Sequence, residues 1–193
     1  HLRQGELLYF HHGSDKLSIS ENQYFRWLAF DQVIQSIMHK RLTWSLTLPH
    51  QSAMLLPLLF FRPLTVVEFG LGGGNLSRYL KHVNGNINVI SIEKNPIIIE
   101  CFQQYFNPEQ HKIALFQDSA QSWLRNTNTT KIDWLLCDIY QQQVNSQISI
   151  NFLAALMRYL TPNTCLSINL PDASASEINC LLTMLQYNLL SHK

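Results

Sequence analysis

Neither sign of charge dominates this sequence: 14 Lys and Arg stand against 13 Asp and Glu, a formal net charge of +1. Without a basic excess or a like-charged tail there is no electrostatic footprint for nucleic acid. Long apolar runs are missing too. The longest, Met54 to Phe61, contains Pro57 and is closed by Arg62 and Pro63, too short to span a bilayer. No membrane partner is expected. Cysteine is sparse: Cys101, Cys137, Cys165 and Cys180 form no C-x-x-C motif, which favours core packing in a reducing compartment over a disulfide framework. The eight histidines are scattered, and the His11–His12 pair lacks the spaced partners of a metal centre. They are read as solvated loop residues, and no metal is expected. No signal-like segment is visible in a chain that starts at His1, and a cytoplasmic location is the expectation.

Glycine is also scarce, with seven in 193 residues, yet four of them fall together at Gly70, Gly72, Gly73 and Gly74. They sit in VVEFGLGGGNL, Val66 to Leu76, where two β-branched residues lead into an elbow. Leu76, Tyr79, Leu80 and Val83 then recur at helical spacing. A strand that feeds a glycine turn and a helix N-terminus offers backbone N–H groups to a nucleotide-like ligand. The dinucleotide fingerprint G-x-G-x-x-G fails, because its third glycine would fall at Asn75. Glu68, Gly70, Gly72 and Gly74 instead fill acid-x-G-x-G-x-G, which resembles the first motif of class I methyltransferases and implies S-adenosylmethionine. The plain alternative is a glycine-rich turn that binds nothing.

The 46% apolar content suffices for a real core. From Leu7 to about Leu48, short β-type patches separated by turn signals predict a small antiparallel hairpin set, and apolar positions 54, 55, 58 and 59 predict a helix over Pro49–Phe60. Beyond Val66, apolar runs alternate with helical patterns, the mark of a doubly wound parallel sheet. The expected strands are Thr65–Phe69, Asn88–Ile92, Ile113–Phe116, Trp134–Asp138 and Cys165–Leu170, with helices near 74–83, 96–106, 119–125, 150–160 and 174–190. Right-handed crossovers place all strand C-termini on one edge, where ligands bind.

Three acids fall on that edge. Glu93 ends the second strand and suits a ribose diol, or else caps the Pro96 helix. Asp118 follows the third, where it suits an adenine amino group, an N-cap, or both. Asp138 closes the fourth after four apolar residues, placed to orient or deprotonate an amine nucleophile; a loop acid bonded to backbone is the alternative.

Taken in order, ISENQYFRWLAFDQVIQS, the Met54–Phe60 helix, EFGLGGGNL, VISIEKNP, FQDSAQSWL, WLLCDIY and CLSINL resemble the spermidine synthase family, the polyamine aminopropyltransferases, over about Ile19 to Leu170. The resemblance implies an N-terminal β-hairpin region, 1–48, before a Rossmann-like adenosyl-binding domain, 49–193. It implies a decarboxylated S-adenosylmethionine or S-adenosylmethionine donor, methylthioadenosine as product, an amine-type small-molecule acceptor and a possible homodimer. The adenosyl ligand would be held by Gln35 and Glu68, by Gly70, Leu71, Gly72, Gly73 and Gly74 of the elbow, by Glu93 with Lys94, and by Asp118 with Ser119. Asp138 is the expected catalytic carboxylate. Two departures stand out: Gly73 replaces an aspartate of the synthases' glycine motif, and Gln141 the second acid of their D-[ST]-x-D segment; Pro49-His50-Gln51 stands near their Tyr-His-Glu segment. Aminopropyl and methyl transfer both remain open, as does a non-catalytic nucleoside-binding role. The family's sheet usually ends in an antiparallel pair of strands, which this sequence is expected to lack.

Overall fold

A computed structural model of the chain describes residues 5–13, 16–31, 33–129, 131–139, 150–171 and 173–191. Its first element is an antiparallel meander of β1 (Glu6–His12), β2 (Lys16–Glu21), β3 (Phe25–Phe30) and β4 (Val33–His39), in the order β1-β2-β3-β4. Period-two burial marks β2, where Leu17 and Ile19 turn inward, and β4, where Ser36 and Met38 do, while β3 buries Trp27, Leu28 and Ala29 in succession. His11 and His12 lie in β1, so their reading as loop residues is corrected. Between Leu28 and Ala29 the β3–β4 register slips, because Leu28 pairs with Ser36 and Ala29 with Ile34. Gln35 is the extra residue of this bulge, a device that bends a strand and re-aims its side chains.

The second sheet is wholly parallel: β5 (Thr65–Phe69), β6 (Asn88–Glu93), β7 (Ala114–Gln117), β8 (Trp134–Cys137) and β9 (Cys165–Ile168), in the order β7-β6-β5-β8-β9. The five expected strands are all present, each shifted by two residues at most. One face buries Val67, Phe69, Ile90, Ile92 and Leu135 beneath α4 (Ala120–Asn126) and α5 (Ile150–Met157). The other buries Val66, Val89, Trp134 and Leu136 beneath α1 (Pro49–Met54) and α2 (Asn75–Val83). Strands covered on both faces become near-continuous apolar runs, which is how they were visible in the sequence. α6 (Ala175–Ser191) follows β9.

Two expected helices are each divided. The helix over Pro49–Phe60 is α1, ending at Met54, and then a 3₁₀ turn over Leu56–Leu59, because Pro57 has no N–H to continue the α pattern. The helix over 96–106 is α3 (Pro96–Cys101) widened to a π-turn at Phe102–Phe106. That turn lies in the cluster of Leu17, Ile19, Leu28, Met38 and Leu71, which joins the meander to the parallel domain. Among the described residues no helix is long and apolar enough to cross a membrane.

Candidate active site

The strand order reverses between β5 and β8, the switch point at which open parallel sheets leave a crevice. Gly70 and Asp138 meet there. The β-ladder continues one residue past each strand: Gly70 N donates to Ile92 O at 3.0 Å, Asp118 N to Glu93 O at 3.2 Å, Asp138 N to Phe69 O at 2.9 Å and Asn169 N to Cys137 O at 2.9 Å. These backbone bonds align the glycine elbow, Glu93, Asp118, Asp138 and Asn169 along one edge.

The elbow is glycine for steric reasons. Gly70 has φ +89°, and a Cβ there would strike the Asp138 carbonyl; Gly74 has φ +67° and sits against the Phe102 ring. No side chain caps α2, whose N-terminus opens from Gly74. Leu71, 4% exposed, packs inward, so its part in the site is its backbone, whose N–H donates to Glu93 Oε2 at 3.2 Å. The other Glu93 oxygen accepts the Asn95 N–H at 2.9 Å. Asn95 caps α3 by accepting from Ile97 N, so the helix-cap alternative for Glu93 is taken by a neighbour. Each Glu93 oxygen keeps acceptor capacity beyond these bonds. Lys94 lies exposed in the turn after β6.

Glu68 requires a correction. Its carboxylate is 1% exposed and turned under the elbow, where Oε2 accepts from Ser77 Oγ and, at 2.5 Å, from Ser91 Oγ. It braces β5, β6 and α2 and does not face a ligand. Burial pushes its pKa up to about 7 against the lowering effect of the two serines. The N-cap expectation for Asp118 is also corrected: Ser119 caps α4 by accepting from Ser122 N at 3.1 Å, while Asp118 Oδ1 accepts the Ser119 N–H at 2.7 Å and stays half-buried at the edge. Ser119 is thus occupied as a cap, and the Asp118 carboxylate stays at the sheet edge beside it.

Several residues that the sequence did not single out build the site. Ser36, beside the bulged Gln35, accepts the Gly73 N–H at 2.8 Å. Asn75, which broke the dinucleotide fingerprint, donates to Ile37 O at 2.8 Å and to Thr47 Oγ1 at 3.2 Å. Arg78 is fully buried; it donates to Thr43 O at 2.7 Å, Phe106 O at 2.9 Å, Asn75 Oδ1 at 3.1 Å and the Gly73 carbonyl. Burial lowers its pKa to about 10, so the guanidinium remains charged at neutral pH. One cation therefore ties elbow, π-turn and the segment after β4 together. No periodicity marks such a residue; an arginine on the inward stripe of an amphipathic helix was the available signal.

Around Asp138 the structure adds two partners. Asn169 Nδ2 donates to Asp138 Oδ1 at 2.8 Å, and His50 Nε2 faces Asp138 Oδ2 at 3.6 Å. His50 is thereby corrected from a solvated loop histidine to a site residue on α1. The Asp138 carboxylate, placed to accept from its ring, lifts His50 above the usual imidazole value despite partial burial. His50 and Asn169 line a cavity of about 250 Å³ with Ala53, Met54, Ser167 and Ile168. Gln141 lies outside the described residues. Among the described residues no cluster of His, Cys, Asp and Glu is arranged for a metal ion.

No protein-family model and no curated protein matches the sequence. Solved structures do resemble the fold. A spermidine synthase from Thermotoga maritima superposes with a TM-score of 0.68 at 13% identity, covering 94% of this chain and 63% of its own. A probable spermidine synthase from Corynebacterium glutamicum gives 0.66 at 14%, covering 81% and 60%. Human methyltransferase-like protein 13, in complex with SAH, gives 0.62 at 18%, covering 73% of each chain. The chain spans about three fifths of the length of these two synthases. At such identities the likeness shows architecture: this protein has a Rossmann-like methyltransferase fold preceded by an antiparallel sheet.

Proposed function

We propose that this protein is an adenosylsulfonium-dependent transferase that alkylates an amine-type small molecule. The observation that carries the reading is the alignment on one sheet edge of the glycine elbow, Glu93, Asp118 and Asp138, with Asp138 at the switch point beside Gly70. A nucleoside laid across this edge has its ribose hydroxyls at Glu93 and its adenine toward Asp118. Its sulfonium then comes to the Gly70–Asp138 junction. The chemistry asked of the protein is modest. A nucleophilic nitrogen must be held in line with the sulfonium-bound carbon and freed of its proton, which proximity and one acid–base group supply. Asp138, about a quarter exposed, attracts a cationic amine to that point.

S-adenosylmethionine and decarboxylated S-adenosylmethionine both fit this reading, with methyl or aminopropyl transfer respectively. The synthase-like meander supports the second and the acid-x-G-x-G-x-G register the first. Calorimetry with both donors, methylthioadenosine and NADH is the test. Binding of an adenosyl ligand, lost in Gly72→Val, supports the proposal; NADH binding with no response to adenosyl ligands overturns it. An amine panel read by mass spectrometry then identifies the transferred group, and adenosyl binding without any transfer marks a nucleoside-binding protein instead.

A further inference from the structure

We propose that His50 is the general base of this site, with Asp138 and Asn169 as its positioning residues. The proposal rests on the transferase reading above and adds the identity of the group that takes the proton. Three separate elements converge: His50 on α1, Asp138 after β8 and Asn169 after β9. The Asn169 amide holds one carboxylate oxygen at 2.8 Å, which turns the other toward His50 Nε2 at 3.6 Å. Contacts of catalytic pairs are commonly long in the free protein and tighten around substrate. A carboxylate opposite Nε2 selects the tautomer with the proton on Nε2 and the lone pair on Nδ1. Nδ1 has no hydrogen-bond partner among the described residues, and the ring is 36% exposed beside the cavity.

The electrostatics agree. Asp138 is the titratable group facing His50, and α1 contributes no other ionisable residue. An alkylammonium must lose a proton before its nitrogen can attack. A carboxylate is a weak base for that step, whereas an imidazole titrating near neutrality is matched to it. In the step itself, neutral His50 takes one proton from the R–NH₃⁺ acceptor at Nδ1 and becomes an imidazolium paired with Asp138. The freed nitrogen lone pair forms the new N–C bond as the C–S bond breaks, and its electrons leave with sulfur as a neutral thioether. Water then removes the proton from His50. Asp138 keeps its charge throughout.

The first measurement needs no substrate: imidazole nitrogen NMR of the full chain across pH. His50 should show the Nε2-protonated tautomer and titrate above the ordinary imidazole value, and Asp138→Asn should lower it. An Nδ1-protonated tautomer, or a titration indifferent to Asp138→Asn, overturns the proposal. The second is the pH dependence of transfer with the donor and amine identified by the assays above. The acid limb should follow the His50 titration and move with it in Asp138→Asn. His50→Ala should lower the rate by roughly 10²-fold or more, with partial rescue by added imidazole and methylthioadenosine affinity within a few-fold of wild type. A His50→Ala variant of near-normal rate with an unmoved acid limb sinks the idea. Absence of adenosyl binding in the wild type would instead refute the transferase reading, leaving the tautomer result to stand by itself.

Discussion

Ser36 and Gly73 are joined by a 2.8 Å hydrogen bond in which the buried Ser36 hydroxyl accepts the glycine N–H, so a bulged strand of the antiparallel sheet holds the glycine elbow of the parallel one. The same Gly73 gives its carbonyl to Arg78. Both polar groups of this loop residue are thus committed to the protein.

Ser36→Ala should therefore do two things. It strands a buried N–H, which costs about 1–3 kcal/mol, and it releases the elbow. Urea unfolding should report the loss, and methylthioadenosine should bind more weakly in calorimetry. Full stability with full affinity would mean that the contact is incidental.

Arg78→Met should cost more, about 3–5 kcal/mol, the scale for removing one member of a buried charged network. The carbonyls of Thr43, Phe106 and Gly73 all lose a donor. The readout is the thermal midpoint, and a shift of only a degree or two would contradict the role assigned to Arg78.

For Glu93→Ala the expected change is in ligand affinity, about 1–3 kcal/mol for lost charged hydrogen bonds. The meander and parallel sheet should persist, since only the bonds from Leu71 N and Asn95 N are lost while the backbone pairing of β5 with β6 remains. Unchanged calorimetric affinity would remove Glu93 from the ribose site.

Glu68 predicts a pH dependence with a definite sign. Its folded-state pKa of about 7 lies above the unfolded 4.5, so between these values the folded state holds the extra proton. Stability from this group is therefore present at low pH and falls as pH rises from about 4.5 through about 7, by about 3 kcal/mol in all. Glu68→Gln keeps the acceptor for one serine and should remove that slope in denaturation measured across the range. A slope that persists assigns it to other groups.

Asp138→Asn should leave methylthioadenosine affinity within a few-fold, since the elbow, Glu93 and Asp118 are untouched, while transfer falls by at least roughly 10²-fold. A lone matched carboxylate also predicts poor turnover of a diamine relative to a monoamine, because one acid cannot clamp two ammonium groups. Robust use of putrescine, or an active Asp138→Asn, would displace the acceptor from this end of the sheet.

The sequence by itself determined the parallel sheet, the elbow and the three edge acids, because each is written in residues close together in the chain. Apolar runs of four to six residues give a doubly covered strand, clustered glycines give a turn no other residue can make, and an acid one step past an apolar run lies at a strand end. What lies between those elements was settled only by tertiary structure. The side of β5 to which Glu68 turns depends on strand register, since Val67 and Phe69 face α4 and α5 while Glu68 meets Ser77 and Ser91. The bulge at Gln35 exists only once β3 and β4 are paired. Arg78 reaches Thr43 and Asn75 reaches Ile37 across more than thirty positions, and His50 meets Asp138 because α1 docks over the end of β8. Periodicity reports which face of an element is buried; hydrogen-bond partners far apart in the chain are chosen by the packing of those faces, and the chemistry of this site resides in such pairs.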